Sequence, residues 1–289
     1  MSSENSIEKL GHAIPFWMSL ALLPLAWVGA IYGGWFVVLL PIVTWYFFSI
    51  LDAFLGLNLN NADPETGEEK LGWYKLITVV WTPLQFVTLF GLIWYVSGAE
   101  HLSTLEKTVL FLGVGVISGT VGINYSHELM HQKDKMERRM ADVLLAMVLY
   151  SHFRSEHLLV HHRYVGTPRD PVTARYNEGF HRFFPRVLRQ CFSSALRAEA
   201  AMLARKGLPA SDGANPFWRY LALQGTFIGL AFVIGGWAGL GMFLFQALIA
   251  IWQLELTNYV EHYGLTRKHL GNGKYEHVQP RHSWNAAQK

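Results

Sequence analysis

Six of the protein's 13 histidines fall into three short boxes. The first runs Asn124-Tyr-Ser-His127-Glu128-Leu-Met-His131. The second runs Glu156-His157-Leu-Leu-Val-His161-His162. The third runs Asn258-Tyr259-Val-Glu261-His262-Tyr263-Gly264. Neutral imidazole is the commonest protein metal ligand. His127 and His131 are four apart, so on a helix they share a face and can grip one metal. His157 and His161 have the same spacing, and on an α-helix His162 points about 100° away from His161. A HxxxHH unit of this kind can serve two metals, or one metal from two sides. His262 follows Glu255 by seven residues on one helical face, with Glu255 about 10 Å deeper. A carboxylate buried in an apolar helix is expensive and marks a functional position. The metal-ligand set expected from the boxes is His127, His131, His157, His161, His162 and His262, with Glu128, Glu255 and Glu261 as the carboxylates that take part in the chemistry.

Two chemistries compete for this pattern. His127-Glu128-Leu-Met-His131 satisfies HExxH, the zinc-protease spacing, with Glu128 as general base. A zinc protease needs about one further ligand and has no use for four surplus histidines. Excess imidazole with carboxylate suits two irons that activate dioxygen. The remaining histidines, among them His12, His101, His181, His269, His277 and His282, lack the tight spacing of a ligand set.

The first and third boxes close apolar runs long enough to be membrane helices, and the second lies in the segment between them. Half of the 289 residues are apolar and only 16% are charged, and long apolar runs recur, as in transmembrane proteins. The sequence reads as all-α, with six spans near Ile14–Gly33, Trp35–Leu57, Leu76–Val96, Leu105–Tyr125, Tyr220–Trp237 and Leu240–Tyr259. The segment before the first run is acidic and polar with one lysine, unlike a cleavable signal peptide. The single Cys191 excludes an intramolecular disulfide and a CxxC metal module. No P-loop or dinucleotide-binding glycine pattern occurs, and nucleic acid is not an expected partner.

Fifteen of the 24 Lys and Arg lie between His131 and Tyr220, and five more follow Gly264. Basic residues accumulate on the cytoplasmic side. Both termini, the Asn58–Lys75 loop and the central segment therefore read as cytoplasmic, and all three boxes fall at that face. Met140–His152 reads as a short helix against the membrane face, and Arg175–Lys206 as interfacial amphipathic helix. Gly115 and Gly119, spaced GxxxG, read as a close helix contact. Trp45, Phe48 and Trp81 are candidates to line an apolar channel, and Asp52 is a candidate support for the site.

At these residues the sequence resembles the integral-membrane alkane hydroxylases (alkane 1-monooxygenases), which belong with the membrane fatty-acid desaturases and hydroxylases in the histidine-box group. HELMH, EHLLVHH and above all NYVEHYGL carry the resemblance, together with Arg281-His282-Ser283-Trp284-Asn285. The resemblance extends from the first span to the end, and treats residues 1–289 as one membrane-bound monooxygenase domain. It implies two non-haem Fe ions held by the six histidines, O2 as oxidant, and hydroxylation of the terminal methyl of a medium- or long-chain alkane entering from membrane lipid. It implies electrons from rubredoxin and an NADH-dependent rubredoxin reductase, a bacterial inner (cytoplasmic) membrane location, and a metal site on the cytoplasmic side. An acidic donor would suit the basic cytoplasmic surface. A fatty-acyl desaturase of the same group is the neighbouring alternative. Family members carry a further His-x-x-His-His box past the HSWN run. None occurs here downstream of His262, so the expectation is a protein truncated at its C-terminal end relative to the family, or a site with fewer ligands.

Overall fold

The computed structural model describes residues 14, 16–47, 50, 53, 54 and 72–284; Phe48 and Asp52 lie outside them. Among the described residues, helices carry almost all regular structure, as an all-α membrane protein requires. Among the described residues, three helices are long and apolar enough to cross a membrane: Gly72–Gly98, Thr104–Met130 and Pro216–His262. Two shorter apolar helices, Met18–Tyr32 and Phe36–Tyr46, occupy the first two apolar runs. The last two apolar runs are two helical segments that meet within the stretch Pro216–His262. The stretch breaks at Gly236, whose φ of 60° costs glycine nothing and other residues a Cβ clash. The segments on either side of the break each have about 20 residues or more, the length one crossing needs.

The described residues divide into two compact units, those up to 148 with 227–250, and 149–226 with 251–284. In the first, α1 (Leu22–Tyr32), α2 (Phe36–Ile42), α3 (Gly72–Gly98) and α4 (Thr104–Ile117) pack together. Ser103 and Glu106 form a reciprocal capping box that starts α4, relieving two orphan N–H groups. A wide π turn, Ser118–Ile123, joins α4 to α5 (Asn124–Met130). Asp134 then caps α6 (Lys135–Met147) by accepting from the N–H groups of Met136 and Glu137. Gly115 is a contact glycine as expected, since a Cβ there would stand 2.6 Å from Ile249. Trp81 is fully buried, satisfies its indole N–H on Gln85 and packs edge-on against Tyr125.

In the second unit α6 has already ended. Leu149 takes a left-handed φ of 56°, so the short helix expected to reach His152 stops at Met147. That turn frees Tyr150 and His152 to enter this unit's core beside α7 (Phe153–Glu156). A second π turn, His157–His161, follows, then α8 (His162–Tyr164) and the long amphipathic α9 (Phe180–Ala204). α9 buries Phe183, Val187 and Cys191 with Val172 and Ala174, flanked by Tyr259 and Tyr263. Arg186 braces this core, donating to both Glu178 oxygens at 2.6 and 2.8 Å and to the Pro171 carbonyl. The helix Pro216–His262, here α10, is started by Asn215, which accepts from the Phe217 N–H. Past it, β1 (His269–Gly271) and β2 (Lys274–Tyr275) form a hairpin turned by Asn272 and Gly273, both at positive φ.

Candidate metal centre

In the first unit α5 presents His127 and His131 on one face. Their ring centroids are 4.8 Å apart, and they offer ligand nitrogens within 4.8 Å of each other. Glu128 lies beside the pair, with Oε1 3.7 Å from His127 Nδ1, and two-thirds of its side chain is exposed. The helix is fixed from both ends. Ser126 Oγ donates to the Ala141 carbonyl of α6 at 3.1 Å. Upstream, Gln85 accepts from Trp81 and donates to Ser118 in the π turn at 3.3 Å, and it lies so close to Gly122 that a Cβ there would overlap its amide.

In the second unit four of the predicted histidines meet. The π turn changes their geometry from the α-helical expectation. Bonding in a π turn runs from residue i to i+5, which sets His162 over His157 rather than pointing it aside. Their rings are 4.4 Å apart, closer than the 5.2 Å between His157 and His161. His161 in turn lies 5.0 Å from His262. One nitrogen of each of the last two is committed, leaving the other for a ligand. His161 Nδ1 bonds Asp170 Oδ2 at 3.1 Å, and His262 Nδ1 faces the His282 carbonyl at 3.4 Å. A carboxylate or carbonyl behind an imidazole is the usual support of a metal-binding histidine. Burial opposes a charge on His161, yet the hydrogen bond and charge of Asp170 raise its pKa on balance. Burial likewise opposes the charge of Asp170, but His161, Thr173 and the Val172 N–H hold it below the ordinary range.

The carboxylates differ sharply. Glu255 is fully buried, accepts from Tyr150 Oη at 2.7 Å and is within 3.2 Å of the Asn258 amide. Glu156, next to His157, is also fully buried, and neither carboxylate oxygen has a hydrogen-bond partner; His152 Nε2 and Ser151 Oγ are similarly bare. Burial drives the Glu156 carboxyl well above its usual pKa, with Asp170 and Glu255 adding repulsion. Burial lowers His152 to about 4. A buried carboxylate with two idle oxygens costs several kcal/mol, about 1–3 per unsatisfied group and more if charged. A cation at this cluster would relieve that cost. His157, His161 and His162 are in mutual ring contact and His262 joins them through His161, and imidazole with carboxylate is donor chemistry that suits iron or another first-row metal.

Glu261 is engaged elsewhere: its Oε1 accepts from Ser283 Oγ at 2.9 Å, while Oε2 stands 4.0 Å from His262. The Arg281–Trp284 run closes over the third box. The Trp284 N–H donates to the Glu261 carbonyl at 2.8 Å and its indole to the Tyr263 carbonyl at 3.0 Å. His282 is no ligand candidate, since Gln279 N–H and Glu276 take both its ring nitrogens. Spacing alone did not single out Asp170, Tyr150 or His152. The only available signals were an Asp after a Thr-Pro-Arg turn and an aromatic beside a His in a basic segment.

The fatty acid desaturase family profile matches residues 107–289. Alkane 1-monooxygenase 2 of Pseudomonas aeruginosa is 36% identical over 97% of this protein and 73% of its own length. Alkane 1-monooxygenase 1 of the same organism is 36% identical over 82% of this protein and 63% of its own length. The alkane 1-monooxygenase of Pseudomonas putida is 35% identical over 86% of this protein and 62% of its own length. The sequence thus spans about two-thirds of the length of these relatives.

Proposed function

The protein belongs to the fatty acid desaturase family, alongside the alkane 1-monooxygenases, and from that premise we propose that it is a membrane monooxygenase hydroxylating the terminal methyl of medium- or long-chain alkanes. The observation that carries the reading is the cluster His157, His161, His162 and His262, backed by Asp170 and the partnerless Glu156. We assign the ligands as those four with His127 and His131, holding two non-haem iron ions. Iron bound there supplies the activation of dioxygen for attack on an unactivated C–H bond. Everything else falls to the protein's own side chains. Asp170 and the His282 carbonyl orient two imidazoles. Tyr150 and Asn258 each donate to the Glu255 carboxylate and hold it in place. The apolar helices admit an alkane from the bilayer and keep water from the reacting carbon.

Two electrons are needed per turnover, and the sequence has no flavin pattern and no cysteine cluster. Rubredoxin, reduced by an NADH-dependent reductase, is the donor in this reading, and the basic central segment suits an acidic partner. The membrane is the bacterial inner membrane, with the site on the cytoplasmic side where Lys and Arg accumulate. Glu128 and Glu261 are assigned supporting roles beside His127 and His262. Likeness to named monooxygenases over most of the sequence favours hydroxylation over desaturation and over the HExxH protease.

The test is metal content and product together. The detergent-purified protein, supplied with donor, reductase, NADH and alkane, is expected to hold close to two irons and to release the primary alcohol. One zinc per polypeptide with no alcohol overturns the reading, and an alkene product reassigns the protein to desaturation.

A further inference from the structure

An open groove of about 620 Å³ runs between the second histidine box and α9, wholly within the second unit. Four arginines line it, Arg163, Arg169, Arg197 and Arg205, and no Asp or Glu is among its lining residues. Among the described residues none of the four guanidinium groups has a carboxylate partner. Arg163 and Arg169 lie over the Tyr164 ring, at 5.2 and 5.6 Å, and Arg205 reaches only the Met202 sulfur. Arg186 on the same helix shows the contrast, being held by both oxygens of Glu178.

The floor between these charges is apolar, formed by Leu158, Ala201 and Met202. It continues a stripe of α9. Val187, Cys191 and Ser194 are buried, and the next members at helical spacing, Ala198 and Ala201, emerge into the groove. Phe192 and Leu196 of the same helix are also left exposed, as on a helix lying at a boundary between water and lipid. The groove therefore asks for a ligand that is anionic at one end and apolar at the other.

We propose that this groove binds an anionic phospholipid, the arginines holding its phosphate and the apolar floor covering the glycerol and first acyl carbons. The planar guanidinium bonds phosphate through two parallel N–H groups. Basic pockets at the inner face of membrane proteins take such headgroups. A free phosphate uses the rim but not the floor. His162 lines the same groove, so the lipid would sit beside a candidate metal ligand, although the proposal does not depend on metal being there.

The test is native mass spectrometry of the full-length protein in detergent, titrated with phosphatidylglycerol, with phosphatidylcholine of the same acyl composition, and with inorganic phosphate as competitor. Phosphatidylglycerol is expected to bind in preference to phosphatidylcholine. The double variant Arg197→Gln/Arg205→Gln should weaken it by about thirtyfold, from the usual contribution of two basic groups facing anionic lipid. Arg182→Gln, exposed on α9 outside the groove, should leave binding unchanged, and melting of each variant checks folding. Equal binding of the two lipids, or undiminished phosphatidylglycerol binding by the double variant, overturns the proposal. Displacement by millimolar phosphate makes the groove a free-anion site instead. If lipid preference is absent and the double variant loses binding to an acidic electron-donor protein, the groove is a protein dock and the lipid proposal falls.

Discussion

Asp170→Asn is the most informative single change to the candidate centre, because it alters charge with almost no change of shape. Asp170 Oδ2 accepts from His161 Nδ1 at 3.1 Å and from Thr173 Oγ1 at 2.6 Å, and Oδ1 accepts from the Val172 N–H at 3.2 Å. An asparagine amide has one acceptor oxygen. If that oxygen faces His161 and Thr173, the NH2 confronts the Val172 N–H. If the amide flips, the NH2 confronts two donors. Either way at least one buried donor loses its partner, a cost of about 1–3 kcal/mol. His161 also loses the negative charge that orients it and raises its basicity. Changes of this kind behind a metal-binding histidine weaken metal affinity about 10–100-fold. The assay is iron per polypeptide against buffered free iron under anaerobic conditions, paired with melting of the metal-free protein. The variant is expected to need at least tenfold more free iron for half-occupancy, and to melt lower even without metal. An iron-occupancy curve superimposing on the parent's would refute Asp170 as a support of the site, whatever happens to the melting temperature.

His262→Ala is expected to abolish hydroxylation while membrane insertion is kept; activity within tenfold of the parent removes the third box from the site. Glu128→Gln should leave measurable hydroxylation, since that side chain is largely exposed; complete loss together with bound zinc would revive the protease reading. Gly122→Ala should destabilise the first unit by about 1–3 kcal/mol, because the new Cβ displaces Gln85 and strands the Trp81 indole; unchanged melting contradicts this. Glu178 gives a pH signature. Burial works against its charge, but the hydrogen bonds and charge of Arg186 hold its carboxyl below the ordinary range. A lowered folded pKa stabilises above the unfolded value, about 4.3, and the gain is lost as pH falls through the folded one. Glu178→Gln should therefore melt lower than the parent at pH 7, with the two curves converging below about pH 4; parallel curves over that range contradict the ion pair's role.

Spacing of residue types made the candidate ligands legible. HxxxH announces two imidazoles on one face, HxxxHH adds a third beside them, and Glu255 stands out as a carboxylate in an apolar run. Length and hydropathy located the helices because the membrane imposes both. The supports were hidden, since they depend on where distant segments meet. Tyr150 reaches Glu255 across 105 residues, and His282 reaches His262 across 20. Asp170 was hidden for another reason: the turn after α8 decides which way it faces, and nothing in Thr167–Thr173 specifies that beforehand.

The wide turn at His157–His161 also bears on insertions and deletions. A ladder from i to i+5 in such a turn matches one from i to i+4 in an ordinary α-helix. Removing one residue between His157 and His161 would let the segment relax to the α form, turning HxxxHH into HxxHH with the outer two imidazoles still one above the other. The two spellings are then interchangeable in space, and a sequence search that insists on one would miss relatives holding the same three side chains in the other.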